Sequence, residues 1–99
     1  MYILEHNRMM RKKIEWNDEK NKLLLKMRGV CFDEVLEAIE KGKIIDSVTH
    51  PNQEKYPNQK VLIVELKDYI YEVPYVEDEE KIFLKTIFPS RKSKKIYTK

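Results

Sequence analysis

The chain predicts an α+β fold: a short N-terminal strand, then two helices packed on one face of a mainly antiparallel sheet of four to five strands, closed by a basic C-terminal tail. Three observations carry this. Two segments between Asp18 and Lys41 have helical caps and apolar spacing; from Lys43 the apolar period becomes two; and the links between the later segments are short, which implies an antiparallel meander. Ninety-nine residues suit one small core, here assigned to residues 12–99 as a single domain.

Met1 to Arg11 shows no sustained period and is set apart as an N-terminal arm, whether a short helix, a disordered arm or extra sequence from an upstream start codon. Lys12 to Trp16 alternates Ile14 and Trp16 with Lys13 and Glu15, a strand that puts Trp16 in the core. Asn17 is a good N-cap, Asp18 and Glu19 bring negative charge to a first turn, Lys26 and Arg28 positive charge to a last, and Gly29 suits the position after the helix. The first helix is therefore placed at Asp18 to Arg28, with Leu23, Leu24 and Met27 as its apolar stripe. A second helix runs from Phe32 to Lys41: Phe32, Val35, Leu36 and Ile39 keep the i, i+3, i+4, i+7 spacing, and Gly42 stops it. Cys31 and Glu34 stand where a capping box would, with sulfur in place of a hydroxyl.

Strands are expected at Ile44 to Thr49, Gln59 to Leu66, Tyr69 to Val76 and Lys81 to Phe88, with a tight turn at Lys67-Asp68 and an acidic one at Glu77 to Glu80. In the third of these, Tyr69, Tyr71, Val73 and Tyr75 share one face and Ile70, Glu72, Pro74 and Val76 the other. Pro74 implies an edge or a bulge. Pro89 should end the pairing and deliver Ser90, Arg91 and Lys92 to the surface. The stretch from His50 to Asn58, with two prolines, is a loop.

Charge is distributed unevenly. The formal balance is only +3, yet after Glu80 come Lys81, Lys85, Arg91, Lys92, Lys94, Lys95 and Lys99 without one acid, a pattern that points to an anionic partner. Several chemistries are excluded or unsupported. His6, His50 and Cys31 form no metal-ligand spacing, so no metal and no cofactor is expected; Cys31 has no placed base; and two glycines, both at helix ends, leave none for a phosphate loop. One cysteine, no apolar run near the roughly 18 residues of a membrane helix, and no signal-peptide pattern make the cytoplasm the expected compartment, with no membrane role.

Binding and cleaving RNA demand less. Attack by the RNA's own 2′-hydroxyl needs a base, cations at the phosphate and an acid for the leaving 5′ oxygen. Arg91 suits the phosphate by its planar fork, His50, Glu54 or a lysine of depressed pKa could carry protons, and Tyr56, Tyr97 or a tyrosine of the Tyr69 to Tyr75 face could stack on an unpaired base. Bland roles compete with each of these: a basic tail solubilises, and strand tyrosines pack. Composition and spacing reach an anionic-polymer binder and stop there.

Lys13-Ile14-Glu15-Trp16-Asn17-Asp18-Glu19-Lys20-Asn21, then Arg28-Gly29-Val30-Cys31-Phe32-Asp33-Glu34-Val35, then Ser90-Arg91-Lys92-Ser93 resembles the BrnT family of toxins from bacterial type II toxin-antitoxin systems, over about Lys12 to Tyr97. The resemblance implies a fold similar to the RelE-type ribonucleases, growth arrest by metal-independent RNA cleavage, and a hetero-oligomer with a cognate antitoxin that has a DNA-binding half. By position it implies His50 as proton carrier, Arg91 and Lys92 on the phosphate and Lys60 assisting, all four catalytic. Glu54, Lys55, Tyr56, Lys85 and Tyr97 make up the substrate-binding set. The chain departs from the family pattern at Cys31, where serine is usual, at Pro89-Ser90 before Arg91, and at Lys94-Lys95, where an acid usually follows. The alternative is a non-catalytic module that binds RNA or a protein through its basic C-terminal edge.

Overall fold

The structure, a computed structural model, describes residues 12–49, 52, 54–55 and 59–92. They form the expected α+β arrangement, with two helices packed on a mixed, mostly antiparallel sheet. The elements in order are β1 (Lys13–Trp16), α1 (Asp18–Arg28), α2 (Phe32–Glu40), β2 (Ile44–Thr49), β3 (Gln59–Leu66), β4 (Tyr69–Glu77), β5 (Lys81–Leu84) and β6 (Phe88–Pro89). The N-terminal arm, residues 1–11, lies outside the described residues.

Local chemistry sets the helix ends. The Asn17 side chain accepts from Lys20 N–H at 2.9 Å, and Gly29, at φ 71°, donates its N–H to the Leu25 carbonyl, so α1 runs Asp18–Arg28 as its caps dictate. At α2, Glu34 Oε1 reaches back to Cys31 N–H at 3.1 Å, the return half of the capping box, and lies 3.7 Å from the Cys31 sulfur. Asn21 joins the two helices: its side-chain oxygen takes the Phe32 N–H at 2.6 Å and its amide donates to Asp33 at 3.0 Å. One side chain thereby satisfies an orphan donor of α2.

The strand order is β1-β5-β4-β3-β2, so the α1–α2 connection carries the chain from one edge of the sheet to the other. β2 to β5 make the antiparallel meander, while β1 lies parallel to β5. The expected strand Lys81 to Phe88 is interrupted. It leaves the ladder at residues 85–87 and returns as β6: Tyr75 faces Leu84 but Tyr71 faces Pro89, so five residues of this segment span four of β4. Pro74 gives the reason. Lys85 N–H donates to the Pro74 carbonyl at 2.8 Å, so the side of β4 that meets this segment is the one where Pro74 has no N–H to give. The bulge tucks Ile87 into the core, and its carbonyl takes a hydrogen bond from Arg28 Nη1 at 2.7 Å.

The main core lies between the helices and the sheet. Phe32, Val35, Ala38 and Ile39 of α2 meet Leu62, Val64, Val73, Tyr75, Ile82 and Leu84. Trp16 is half-buried rather than central; it stacks on Phe32 at 5.7 Å between ring centroids. A smaller cluster of Val61, Ile63 and Ile70, with Ile45, occupies the opposite sheet face. The stripe expected on α1 does not enter the core as a unit. Leu24 is buried, but Leu23 and Met27 are 48% and 71% exposed, because the helix turns Leu24, Asn21 and Arg28 toward α2 and the 85–87 bulge.

Candidate functional site

Two clusters of cations stand at opposite ends of the sheet. At one end Lys60, on β3, lies opposite Tyr75, and its ammonium is 3.2 Å from Glu77 Oε1. Lys12 holds the other oxygen of the same carboxylate at 2.5 Å and also donates to the Asp78 carbonyl. The Glu77 side chain is only 6% exposed. A carboxylate so buried is tolerated because two ammonium groups share it. The arrangement ties the segment before β1 to β3 and β4. Asp78, the next residue, accepts the N–H groups of Glu80 and Lys81 at 2.8 Å each, and these two bonds hold its carboxyl below the usual carboxylate range.

At the other end, β6 closes against Tyr71 and Glu72, Ser90 N–H donates to the Ile70 carbonyl at 3.1 Å, and Arg91 and Lys92 enter helical backbone, both exposed. Pairing thus runs one bond beyond Pro89, and Ser90, expected at the surface, is buried, while Arg91 and Lys92 reach the surface as expected. Arg91 lines an open groove of about 530 Å³ with Tyr69, Tyr71 and Pro89. The two tyrosine rings meet edge to face at 5.8 Å. Among the described residues no carboxylate pairs with Arg91. The Lys67-Asp68 turn beside this end has both residues at positive φ, 51° and 64°, the geometry of a two-residue hairpin turn built without glycine or asparagine.

The residues singled out from the sequence fall unevenly on this frame. Arg91 is brought together with the tyrosines, and Lys92 follows it into the solvent. Lys60 is not brought to them. It sits five residues along β4 from the level of Ser90, about 16 Å at the rise of a strand, and is engaged with Glu77. Glu54 and Lys55 are exposed in a turn of the β2–β3 connection, at the Lys60 end, where Lys55 N–H donates to Asn52 at 3.1 Å. Lys85 is exposed on the bulge and does not line the groove. His50, Tyr56 and Tyr97 lie outside the described residues. Of the tyrosine face, Tyr75 is removed as a stacking platform: it is fully buried and shares a 2.6 Å hydrogen bond with Ser47 Oγ. Tyr69 and Tyr71, toward the strand's other end, are half-buried and reach the groove.

The sequence reading missed Glu77 as the partner of Lys60. The signal is a diagonal cross-strand relation, visible only once the register pairs Lys60 with Tyr75. No three His, Cys, Asp or Glu residues group as a metal-ligand set among the described residues, and no described helix is long and apolar enough to cross a membrane. No known protein family, characterised protein or solved structure matches the chain.

Proposed function

We infer that the protein is an RNA-cleaving toxin of the BrnT type, acting in the cytoplasm and held in check by a cognate antitoxin with a DNA-binding half. The observation that carries this reading is the groove in which Arg91, without a carboxylate partner among the described residues, stands beside Tyr69 and Tyr71. A guanidinium binds a phosphate through two parallel hydrogen bonds, and an aromatic ring beside it accepts an unpaired base. The RNA-binding step rests on these groups, with Lys92 adding charge.

In the cleavage step the 2′-oxygen attacks phosphorus while the bond to the 5′ oxygen breaks, leaving a 2′,3′-cyclic phosphate and a 5′-hydroxyl. A base takes the 2′-hydroxyl proton and an acid supplies one to the departing oxygen. This reading needs proton carriers at the Arg91 groove: Glu54 stands at the Lys60 end and does not reach it, and His50 lies outside the described residues. Arg91 balances the charge that gathers on the phosphate oxygens. Lys60, committed to Glu77, acts in the frame rather than on the phosphate.

A binding-only module is the second reading, and one observation favours it. The groove's described lining is Tyr69, Tyr71, Pro89 and Arg91, which can hold an anion but offers neither carboxylate nor imidazole to move a proton. Incubating the purified protein with labelled cellular RNA in EDTA, beside the Arg91→Ala form, separates the two. Cleavage by the wild type alone supports the toxin reading; RNA that is bound through Arg91 yet stays intact, with no growth arrest on induction, supports the module.

A further inference from the structure

We propose that the outer surface of α1 docks an acidic amphipathic helix of a partner protein. This surface is independent of the ribonuclease reading and of the Arg91 groove. It rests on two features that coincide on one helix.

The first is apolar exposure. Leu23, Leu25 and Met27 are 48%, 53% and 71% exposed, and together with Val48 they make up the large hydrophobic side chains left in solvent among the described residues. Leu23 and Met27 are one turn apart and form a ridge along the helix. Single exposed apolar residues are ordinary, and Leu25, two positions from each, faces another side of the helix, but Leu23 and Met27 stand together on one face of this 11-residue helix. α2 shows the contrast: Phe32, Val35, Ala38 and Ile39 are all buried.

The second feature is charge. From Lys20 to the end of α1 the ionisable residues are Lys20, Lys22, Lys26 and Arg28, with no acid among them. Arg28 is engaged by the Ile87 carbonyl. The three lysines have no carboxylate partner among the described residues, whereas Lys12, Lys13, Lys41, Lys60, Lys67 and Lys81 all do. Lys20 and Lys26 lie three residues either side of Leu23, so cations flank the ridge.

An apolar ridge flanked by cations is the complement of a helix whose apolar stripe is flanked by glutamate or aspartate. RNA fits less well, because α1 presents aliphatic side chains and no aromatic ring for a base to stack on. A second copy also fits less well. The acidic helix available on this chain is α2, with Asp33, Glu34, Glu37 and Glu40, and its apolar residues are spent on the core.

The test uses the full chain and a fluorescein-labelled helical peptide of leucine, alanine and glutamate, about 18 residues long so that it holds its helix. Anisotropy should report saturable binding, and amide shifts in the protein should change mainly along α1. Leu23→Ser with Met27→Ser, and separately Lys20→Glu with Lys26→Glu, should each weaken binding about tenfold or more. Leu23, Lys26 and Met27 are exposed and Lys20 is half-buried, and none of the four belongs to the core, so the variants should melt close to the wild type. The proposal is overturned if no saturable binding is seen, if either variant pair binds like the wild type, or if a peptide with serine for leucine binds as tightly, since charge alone would then explain it. It is equally overturned if a uridine oligonucleotide shifts the same α1 amides and displaces the peptide, or if sedimentation shows a wild-type dimer that the Leu23→Ser, Met27→Ser variant loses.

Discussion

The two ends of the sheet use cations in opposite ways. At the Lys60 end two lysines converge on the buried carboxylate of Glu77, and both ammonium groups are engaged by it. At the Arg91 end the guanidinium stands in an open groove beside Tyr69 and Tyr71. Both ends draw on the same basic composition, and only the strand register separates them: Lys60 lies level with Tyr75 and within reach of Glu77, while Arg91 emerges past Ser90 at the level of Ile70. The lesson is that a lysine count says little about an anionic ligand until each cation's carboxylate is located.

The largest effect that would sharpen this contrast is on RNA. Arg91→Ala should weaken binding of a single-stranded RNA by about ten- to a hundredfold, the worth of one charge-assisted phosphate contact, with an unchanged melting temperature. Lys60→Met should leave RNA affinity within about twofold. Filter binding at fixed salt measures both, and equal losses in the two variants would erase the distinction between the ends.

Stability should show the reverse order. Glu77→Gln leaves two lysine ammonium groups facing a neutral amide and should cost about 2 kcal/mol in urea unfolding, less than the ~3–5 kcal/mol of a fully buried pair because Lys60 reaches water. RNA affinity should hold. If Glu77→Gln melts like the wild type, the ionic end is not part of what holds β1, β3 and β4 together.

A smaller effect is expected at the turn beside the groove. Asp68, at φ 64°, carries a side chain where glycine would be unstrained, so Asp68→Gly should stabilise the β3–β4 hairpin by about 0.5 kcal/mol, the relief of left-handed strain less the entropy glycine adds to the unfolded chain. Lys67 is the less suitable place to make the change, since its ammonium also bonds the Gly29 carbonyl. A lower urea midpoint for Asp68→Gly would mean that the aspartate side chain itself supports the turn.

What the sequence made legible follows the range of each interaction. The bounds of α1 were readable because Asn17, the two acids, the two bases and Gly29 act within a turn of themselves. Its buried face was not, because a run of three leucines leaves the choice to the neighbours, and Asn21 and Arg28 made it. The faces of β4 followed from a period of two, but the fates of its tyrosines did not: Tyr75 ended under the helices and Tyr71 at the groove by their places along the strand. Pro74 announced a bulge, and the bulge fell on the neighbouring segment at residues 85–87. The parallel β1–β5 pair and the Lys60–Glu77 contact join residues 17 or more apart in sequence, where no local pattern reports. In the candidate site Arg91 was legible from the acid-free run that contains it, whereas its aromatic neighbours depended on how β6 rejoins β4.

The smallest expected effect returns to the ionic end. Asp78 is fully exposed, and its carboxyl is held below the usual range first by the Glu80 N–H and then by the Lys81 N–H. A folded-state pKa below the unfolded value contributes stability that is complete above the ordinary aspartate range and is lost as pH falls through the depressed value. Asp78→Asn keeps an oxygen to accept both bonds but no charge to titrate, so the variant's melting temperature should fall less steeply in acid than that of the wild type, with the two curves parallel above pH ~6. Equal slopes in acid would mean that the turn gains nothing from the charge of Asp78.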